Sequence, residues 1–387
     1  MKKKIAILGS TGSIGKTLID IISKDKNNFK IDLLSANKNY KQILKQAIKF
    51  NVKNLIITDK KAFDKLQNQI KKRNIRIFNS FDHFIKNYKS KFDYSMCAIT
   101  GIDGLKPTLD IIRLSKSVAI ANKEAIICGW PLIKKSLKKY NTKFIPVDSE
   151  HFTIWMATNN FKHSIEKLYI TASGGPFKDL DIKKFKHITP HQAVKHPNWK
   201  MGNKISIDSS TMMNKVFEII EAKNIFDVKY KQIDILIHKD SYLHSIIKFH
   251  NGIIKIVAHD TTMKVPIFNS VYNNESKTIK TQDVSISKLN NLKLEKPNNK
   301  RFKILKILNF LPDKTSLFET AIVTANDILV DLFLNNKISY LDISKKLYKF
   351  IKLNKIKNFR RIVPKNIQDI LGLNVYIRKN FDFTKLK

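Results

Sequence analysis

The order of apolar runs predicts an α/β chain: a parallel-sheet domain first, a central α+β segment next, and a helical bundle at the end. Three observations carry this expectation. A strand, a glycine turn and a helical pattern open the chain, and short apolar runs then recur between lysine-rich helical stretches. Beyond Ser316 the apolar period becomes that of helices with capping signals.

Residues 4–8 form the first short apolar run. It is broken by Gly9-Ser10-Thr11-Gly12-Ser13-Ile14-Gly15 and followed by Leu18, Ile21 and Ile22 at helical spacing. Further runs at 31–34, 55–58, 75–78, 94–99, 117–121 and 144–147 supply the remaining strands of an open parallel sheet. After Glu150 the pattern turns to polar loops with strands at 168–171, 233–238 and 253–258. The stretch 273–300, weakly periodic and rich in Asn, Lys and Ser, suits a linker.

Ser316-Leu317-Phe318-Glu319 is a capping box that opens a helix with Leu317, Ala321, Ala325, Ile328 and Leu332 near one face. Ser339 to Asp342 repeats the signal before Ile343, Leu347 and Phe350. The expected division is therefore 1–149, 150–272, a linker at 273–300, and 301–387.

At 387 residues the chain can hold two or three domains with cores of their own, and 43% hydrophobic residues make it globular. The formal charge of +40 invites a nucleic-acid reading, but the lysines are spread over almost every segment beside an excess of Asn, Ile and Phe. Such a field still draws anionic small molecules to a cleft, so a phosphorylated ligand fits and nucleic acid is not the expected partner. Cys97 and Cys128 form no metal or disulfide spacing, and no run of 18 apolar residues or signal segment is visible. The expectation is a reduced, cytoplasmic protein without a membrane partner.

Gly9, Gly12 and Gly15 place three of eleven glycines within seven residues, in strand-turn-helix context. Glycine lets backbone N–H groups and a helix N-terminus approach a pyrophosphate, although the first spacing is one longer than in the usual dinucleotide fingerprint. A bare structural turn is the alternative. After the second strand stand Asn37, Lys38 and Asn39, with no carboxylate for ribose hydroxyls, and a lysine with neutral neighbours suits the 2′-phosphate of NADPH. A solvated lysine is the other reading of Lys38.

Asp148-Ser149-Glu150 follows the last predicted strand, where alternation sets both carboxylates on one side. Paired carboxylates need neutralising, and oxygen ligands suit Mg²⁺ or Mn²⁺. A third ligand is expected from the stretch 196–222, which gathers one of three Trp and three of seven Met. If 212–222 is helical, Asn214, Lys215 and Glu218 share a face, with Met213, Phe217 and Ile220 on the core side. The other reading is a surface helix with an ordinary Lys/Glu pair. Ser173-Gly174-Gly175-Pro176 can offer a hydroxyl and N–H groups to phosphate, and His196-Pro197-Asn198-Trp199 a donor and an aromatic lid. Asn122-Lys123-Glu124 follows a strand of the first domain, whereas His244 and His259 are expected to be structural.

With GSTGSIG, ANKE, VDSEH, SGGPF, HPNW and DSSTMMNK in this order, the sequence closely resembles the 1-deoxy-D-xylulose 5-phosphate reductoisomerase family. The resemblance implies a Rossmann-like NADPH-binding domain, a central catalytic domain and a homodimer. It also implies conversion of the ketose phosphate to 2-C-methyl-D-erythritol 4-phosphate by metal-assisted rearrangement and hydride reduction, in non-mevalonate isoprenoid biosynthesis.

By motif, Asp148, Glu150 and Glu218 would hold the divalent ion, with Lys123 beside the reacting oxygens and Ser149 on the substrate. Ser173, His196, Ser209, Asn214 and Lys215 would grip its phosphate and hydroxyls, and Trp199 would close over it. Thr11, Gly12, Ser13, Ile14, Asn122, Glu124 and Gly202 would contact NADPH. The family often has glycine at Asn37, a departure that bears on the adenosine-side geometry, and Gly-Leu at Val216-Phe217, a departure that leaves ligand spacing intact and bears on local packing. A phosphosugar dehydrogenase without rearrangement, and a basic nucleic-acid-binding protein, are the competing readings.

Overall fold

The computed structural model describes residues 1–387 except 72, 160, 162, 197, 198, 200, 273, 274, 385 and 387. Pro197 and Asn198 of the expected lid, and the first two residues of the expected linker, therefore lie outside the described residues. The chain forms two compact units. One comprises Met1–Ala125, Pro131–Asp148 and Met263–Ile279, the other Ile126–Trp130, Ser149–Thr262 and Lys280–Lys387.

The first unit is built on seven strands: β1 (Lys3–Leu8), β2 (Phe29–Ala36), β3 (Asn54–Ile57), β4 (Arg76–Phe78), β5 (Phe92–Cys97), β6 (Ser115–Ile120) and β7 (Lys143–Pro146). All pair in parallel in the order β4-β3-β2-β1-β5-β6-β7. Parallel strands covered on both faces need continuous apolar runs, and Ile5, Ala6, Ile7 and Leu8 are all fully buried. Every apolar run read from the sequence in this region overlaps one of these strands, with ends displaced by up to two residues. The strand order reverses between β1 and β5, which is where open α/β sheets leave a crevice for ligands.

In the second unit a four-stranded sheet runs β11-β10-β8-β9, with β8 (Ile165–Ala172), β9 (Ile233–Ile237), β10 (Leu243–Phe249) and β11 (Ile254–Ala258). Only β8 and β9 pair in parallel. The sequence reading missed β10, because His244, Ser245 and Lys248 interrupt its apolar content. Yet Leu243, Ser245, Ile247 and Phe249 are all buried, so a period-two signal was present.

Two local expectations need correction. Ser149 and Glu150 do not continue β7: Ser149–Thr158 is an α-helix, so strand alternation does not govern where Asp148 and Glu150 point. The capping boxes at Ser316 and Ser339 both form, opening helices Leu317–Leu334 and Tyr340–Phe350. The first of these, however, has no single apolar face: Phe318, Ile322, Val323 and Phe333 are buried too, while Ile328 and Leu332 are half-exposed. A helix buried nearly all round is the core of a bundle rather than an amphipathic cover. The stretch read as a linker contains a short helix, Ile286–Asn290, and a bridge from Glu295 to Ile237.

Candidate functional site

In the first unit, the glycine turn lies at the sheet's switch point for steric reasons. Gly9 has φ +81°, and a Cβ there would meet the Ala98 carbonyl oxygen at 2.7 Å, so the segments after β1 and β5 approach too closely for any side chain. Its N–H donates to Ser35 Oγ at 3.0 Å, tying the turn to β2. Gly12 then caps the helix Ser13–Ser23 without a side-chain bond, and Gly12 and Ser13 are exposed with Thr11 and Ile14 half-exposed. Such a helix start leaves backbone donors for an anion.

Asn37, Lys38 and Asn39 all lie exposed after β2. Asn37 Nδ2 donates to Thr58 Oγ1 at 2.8 Å, and Asn39 caps the helix Tyr40–Phe50 by accepting from the Gln42 N–H at 3.1 Å. Both have structural partners, which leaves Lys38 as the charged member of the trio. Asn122 is likewise a cap: it accepts from the Ala125 N–H at 2.9 Å and its amide nitrogen donates to the Gly101 carbonyl at 2.8 Å. That cap starts the helix Lys123–Tyr140, burying Glu124 and placing Lys123 Nζ 3.1 Å from Asp148 Oδ2.

In the second unit the site residues expected from the sequence gather around Lys215. Its ammonium lies 3.1 Å from Glu150 Oε1, donates to the Thr171 carbonyl at 2.6 Å, and pairs with Glu218 one turn further along the helix Met213–Phe226. Lys215 is 5% exposed and Glu218 1%, which rules out the surface-helix reading, while Met213, Phe217 and Ile220 face the core as expected. Asn214 Nδ2 donates to Glu218 Oε1, and Ser149 Oγ to Glu150 Oε2. Val216 and Phe217 are fully buried, so that departure from the family pattern is absorbed by packing behind the polar face.

A second cluster adjoins the first. Trp199 N–H donates to His196 Nδ1 at 3.0 Å, which leaves Nε2 as the protonated nitrogen facing Ser173 Oγ at 3.1 Å. Ser173 Oγ also accepts from the Gly175 N–H at 3.1 Å, so its own proton is available for a ligand oxygen. Burial, and then the neighbouring Lys215 charge, lower the His196 pKa to about 4, so the ring is neutral near pH 7. Ser209 stands beside this loop: a Cβ on Gly175 would lie 3.1 Å from the Ser209 carbonyl oxygen. Gly202 caps the helix Asn203–Thr211 and is exposed. The Trp199 ring meets His244 edge-on at 6.4 Å, and His244 stacks on His259 at 3.8 Å, a supporting role for the two histidines.

Sequence reasoning assigned nothing to His151, which is fully buried, with Nε2 2.9 Å from the Glu218 carbonyl and Nδ1 3.8 Å from Glu221. It stood in the VDSEH motif, but a partner 67 residues away leaves no local signal. Thr171 was missed for a plainer reason, since it acts through its carbonyl.

The arrangement offers an anion-binding helix start in one unit, and in the other oxygen ligands, a buried ammonium and neutral donors suited to a phosphorylated polyol. Family profiles described as 1-deoxy-D-xylulose 5-phosphate reductoisomerase match residues 5–129, and its C-terminal domains match 144–226 and 260–380. The sequence is 58% identical, over 97% of each chain, to the 1-deoxy-D-xylulose 5-phosphate reductoisomerase of Pelagibacter ubique (strain HTCC1062). Among solved structures, it is similar to a DOX-P reductoisomerase in complex with NADPH, fosmidomycin and magnesium, at 30% identity and a TM-score of 0.89 over 99% of this chain and 98% of that one. It is also similar to the Zymomonas mobilis enzyme in complex with NADPH, at 29% identity and a TM-score of 0.86 over 98% of both chains.

Proposed function

The chain belongs to the 1-deoxy-D-xylulose 5-phosphate reductoisomerase family, and from that premise we propose how its residues divide the work. The protein is an NADPH-dependent oxidoreductase that converts 1-deoxy-D-xylulose 5-phosphate to 2-C-methyl-D-erythritol 4-phosphate in non-mevalonate isoprenoid biosynthesis, with a divalent cation. The observation that carries the residue assignment is the Lys215 hub, which holds Glu150 and Glu218 against one buried ammonium beside the Ser173–His196 pair.

Asp148, Glu150 and Glu218 are the proposed ligands of Mg²⁺ or Mn²⁺. The donor chemistry fits: all three are carboxylates, and each has a lysine ammonium beside it, Lys123 for Asp148 and Lys215 for the two glutamates. When bound, the ion supplies Lewis-acid polarisation of the substrate's carbonyl and hydroxyl oxygens. Lys123 sits by the reacting oxygens and Ser149 orients the substrate. Ser173, neutral His196, Ser209, Asn214 and Lys215 hold its phosphate and hydroxyls, and Trp199 excludes water above them.

On the first unit, Thr11, Gly12, Ser13 and Ile14 cradle the pyrophosphate of NADPH, with Asn37, Lys38 and Asn39 at its adenosine side and Asn122 and Glu124 as further contacts; Gly202, which belongs to the second unit, is a further proposed contact. The functional division proposed is 1–149 for the nucleotide, 150–272 for metal and substrate, a linker at 273–300 and supporting helices at 301–387; the compact units depart from these bounds, since 263–279 belongs to the first and 126–130 to the second. No described helix is long and apolar enough to cross a membrane. We place the enzyme in the cytoplasm as a homodimer, on family resemblance.

The test is NADPH oxidation, followed by the loss of the reduced nicotinamide's absorbance, with substrate and Mg²⁺ or Mn²⁺ present. Activity must stop on chelation and return with either ion. Glu218→Gln should remove the metal-dependent rate while the protein stays folded, and near-normal turnover would take Glu218 out of the ligand set. Carbon connectivity in the product, read by isotope-labelled NMR, separates rearrangement from simple dehydrogenation.

A further inference from the structure

The last turn of the helix Asn203–Thr211 carries Asp208, Ser209 and Ser210, and of the three only Ser209 is half-exposed. Its neighbours are pinned from outside. Asp208 Oδ1 accepts from Asn326 Nδ2 at 2.7 Å and Oδ2 lies 2.9 Å from Lys204 Nζ, while the Ser210 carbonyl accepts from the Tyr340 hydroxyl at 2.7 Å. A carboxylate only accepts, so Asn326 must present its amide nitrogen there, and Asn326 is fully buried. Lys204 also reaches Asp327 at 3.2 Å, which Arg378 meets from the other side at 3.3 Å.

Tyr340 is itself held. Its ring packs against Phe177, Phe185 and Phe333 at 5.4, 5.9 and 5.8 Å, and Phe177 ends the SGGPF motif that begins with Ser173. The turn's exit is constrained as well, because Met212 adopts φ +69° between the two helices, a left-handed conformation that persists only where its surroundings enforce it. Asn326 and Tyr340 thus clamp, from the C-terminal helices, the one turn that links Ser209 to Asn214 and Lys215.

We propose that Tyr340 and Asn326 are positioning residues for the substrate phosphate, fixing the Asp208–Ser210 turn so that Ser209, Asn214 and Lys215 meet the phosphoryl group in one geometry. The proposal rests on the reading of Ser209, Asn214 and Lys215 as phosphate contacts. The C-terminal helices then contribute to substrate affinity without supplying any group that touches the substrate.

Tyr340→Phe removes one hydroxyl and keeps the ring packing. It should raise KM for the ketose phosphate and the inhibition constant of inorganic phosphate together, each about tenfold, with kcat and the KM for NADPH within about twofold of wild type. Asn326→Asp sets a second carboxylate against Asp208 and should raise both constants further. Where that variant does not fold, Tyr340→Phe carries the test. A merely structural role would lower the melting temperature and leave both constants unchanged, and that result would overturn the proposal.

Ser209→Ala separates this idea from the reading beneath it. Should Ser209→Ala raise both constants while Tyr340→Phe does not, the positioning role falls and the Ser209 contact stands. Should Tyr340→Phe raise them while Ser209→Ala does not, the serine contact falls and positioning stands through Asn214 and Lys215. If both single changes act, the double variant should be no worse than the stronger single one, since they disturb one grip; strict additivity would also overturn the proposal.

Discussion

Lys215→Met tests whether the buried ammonium holds the carboxylate cluster together. In the native protein Nζ lies 3.1 Å from Glu150 Oε1 and 2.6 Å from the Thr171 carbonyl, and it also pairs with Glu218. At an effective dielectric near 20, the Glu150 contact alone corresponds to roughly 5 kcal/mol of Coulomb energy, an upper bound on its net worth. Methionine fills the space but leaves the buried Glu218 and the half-buried Glu150 without their shared cation, a change that costs about 3–5 kcal/mol.

For a unit of this size each kcal/mol moves the melting temperature by roughly 2–4 °C, so K215M should melt on the order of 10 °C lower in metal-free buffer. Saturating Mg²⁺ should restore more of that loss in K215M than it adds to wild type, because the ion then replaces the missing positive charge. Differential scanning calorimetry with and without Mg²⁺ measures both effects. A metal-free K215M that melts within about 2 °C of wild type would show that Lys215 does not neutralise this cluster.

Gly15→Ala should raise the KM for NADPH by about one to two orders of magnitude, because an added Cβ would sit 2.5 Å from the Gly9 carbonyl oxygen and 2.6 Å from Ser10 Cα, and backbone cannot yield cheaply. An unchanged KM would remove this turn from the cofactor site. Burial pushes the Glu319 carboxyl up to about 7 from its ordinary 4.5, against the lowering effect of its bonds to Ser316 and of the Lys223 charge. A raised folded-state pKa gives stability that is fully present below pH 4.5 and is lost as pH rises to about 7. Glu319→Gln, which keeps the capping geometry, should flatten urea midpoints across that window, and a slope equal to wild type would refute the assignment. Ser316→Ala should cost about 1 kcal/mol in the same assay by removing the cap of the bundle's central helix.

Local chemistry explains what was legible from residue order. The strands of the parallel sheet could be read because burial on both faces demands unbroken apolar runs such as residues 5–8. The two capping boxes were legible because their partners are three residues apart. The glycine turn was legible because Gly15 answers to contacts inside its own loop, with Gly9 and Ser10, whereas the close approach that requires Gly9 comes from Ala98, far along the chain.

Where partners are distant, that legibility ends. Glu150 was placed on a strand, yet it opens a helix, and no local pattern announced that a lysine 65 residues later would lie against it. The all-round burial of Leu317–Leu334 depends on what surrounds it, and its own period could not disclose that.

The sequence by itself determined the parallel sheet, the glycine turn, the helix caps and the identity of the chemical groups, since these depend mainly on propensity and on neighbours a few residues away. Only the tertiary structure decided that Lys215 is buried between Glu150 and Glu218, that His196 is neutral against Ser173, and that Asn326 and Tyr340 clamp the turn carrying Ser209. Desolvation and long-range hydrogen bonds act between groups that the fold, and not the order of residues, brings together.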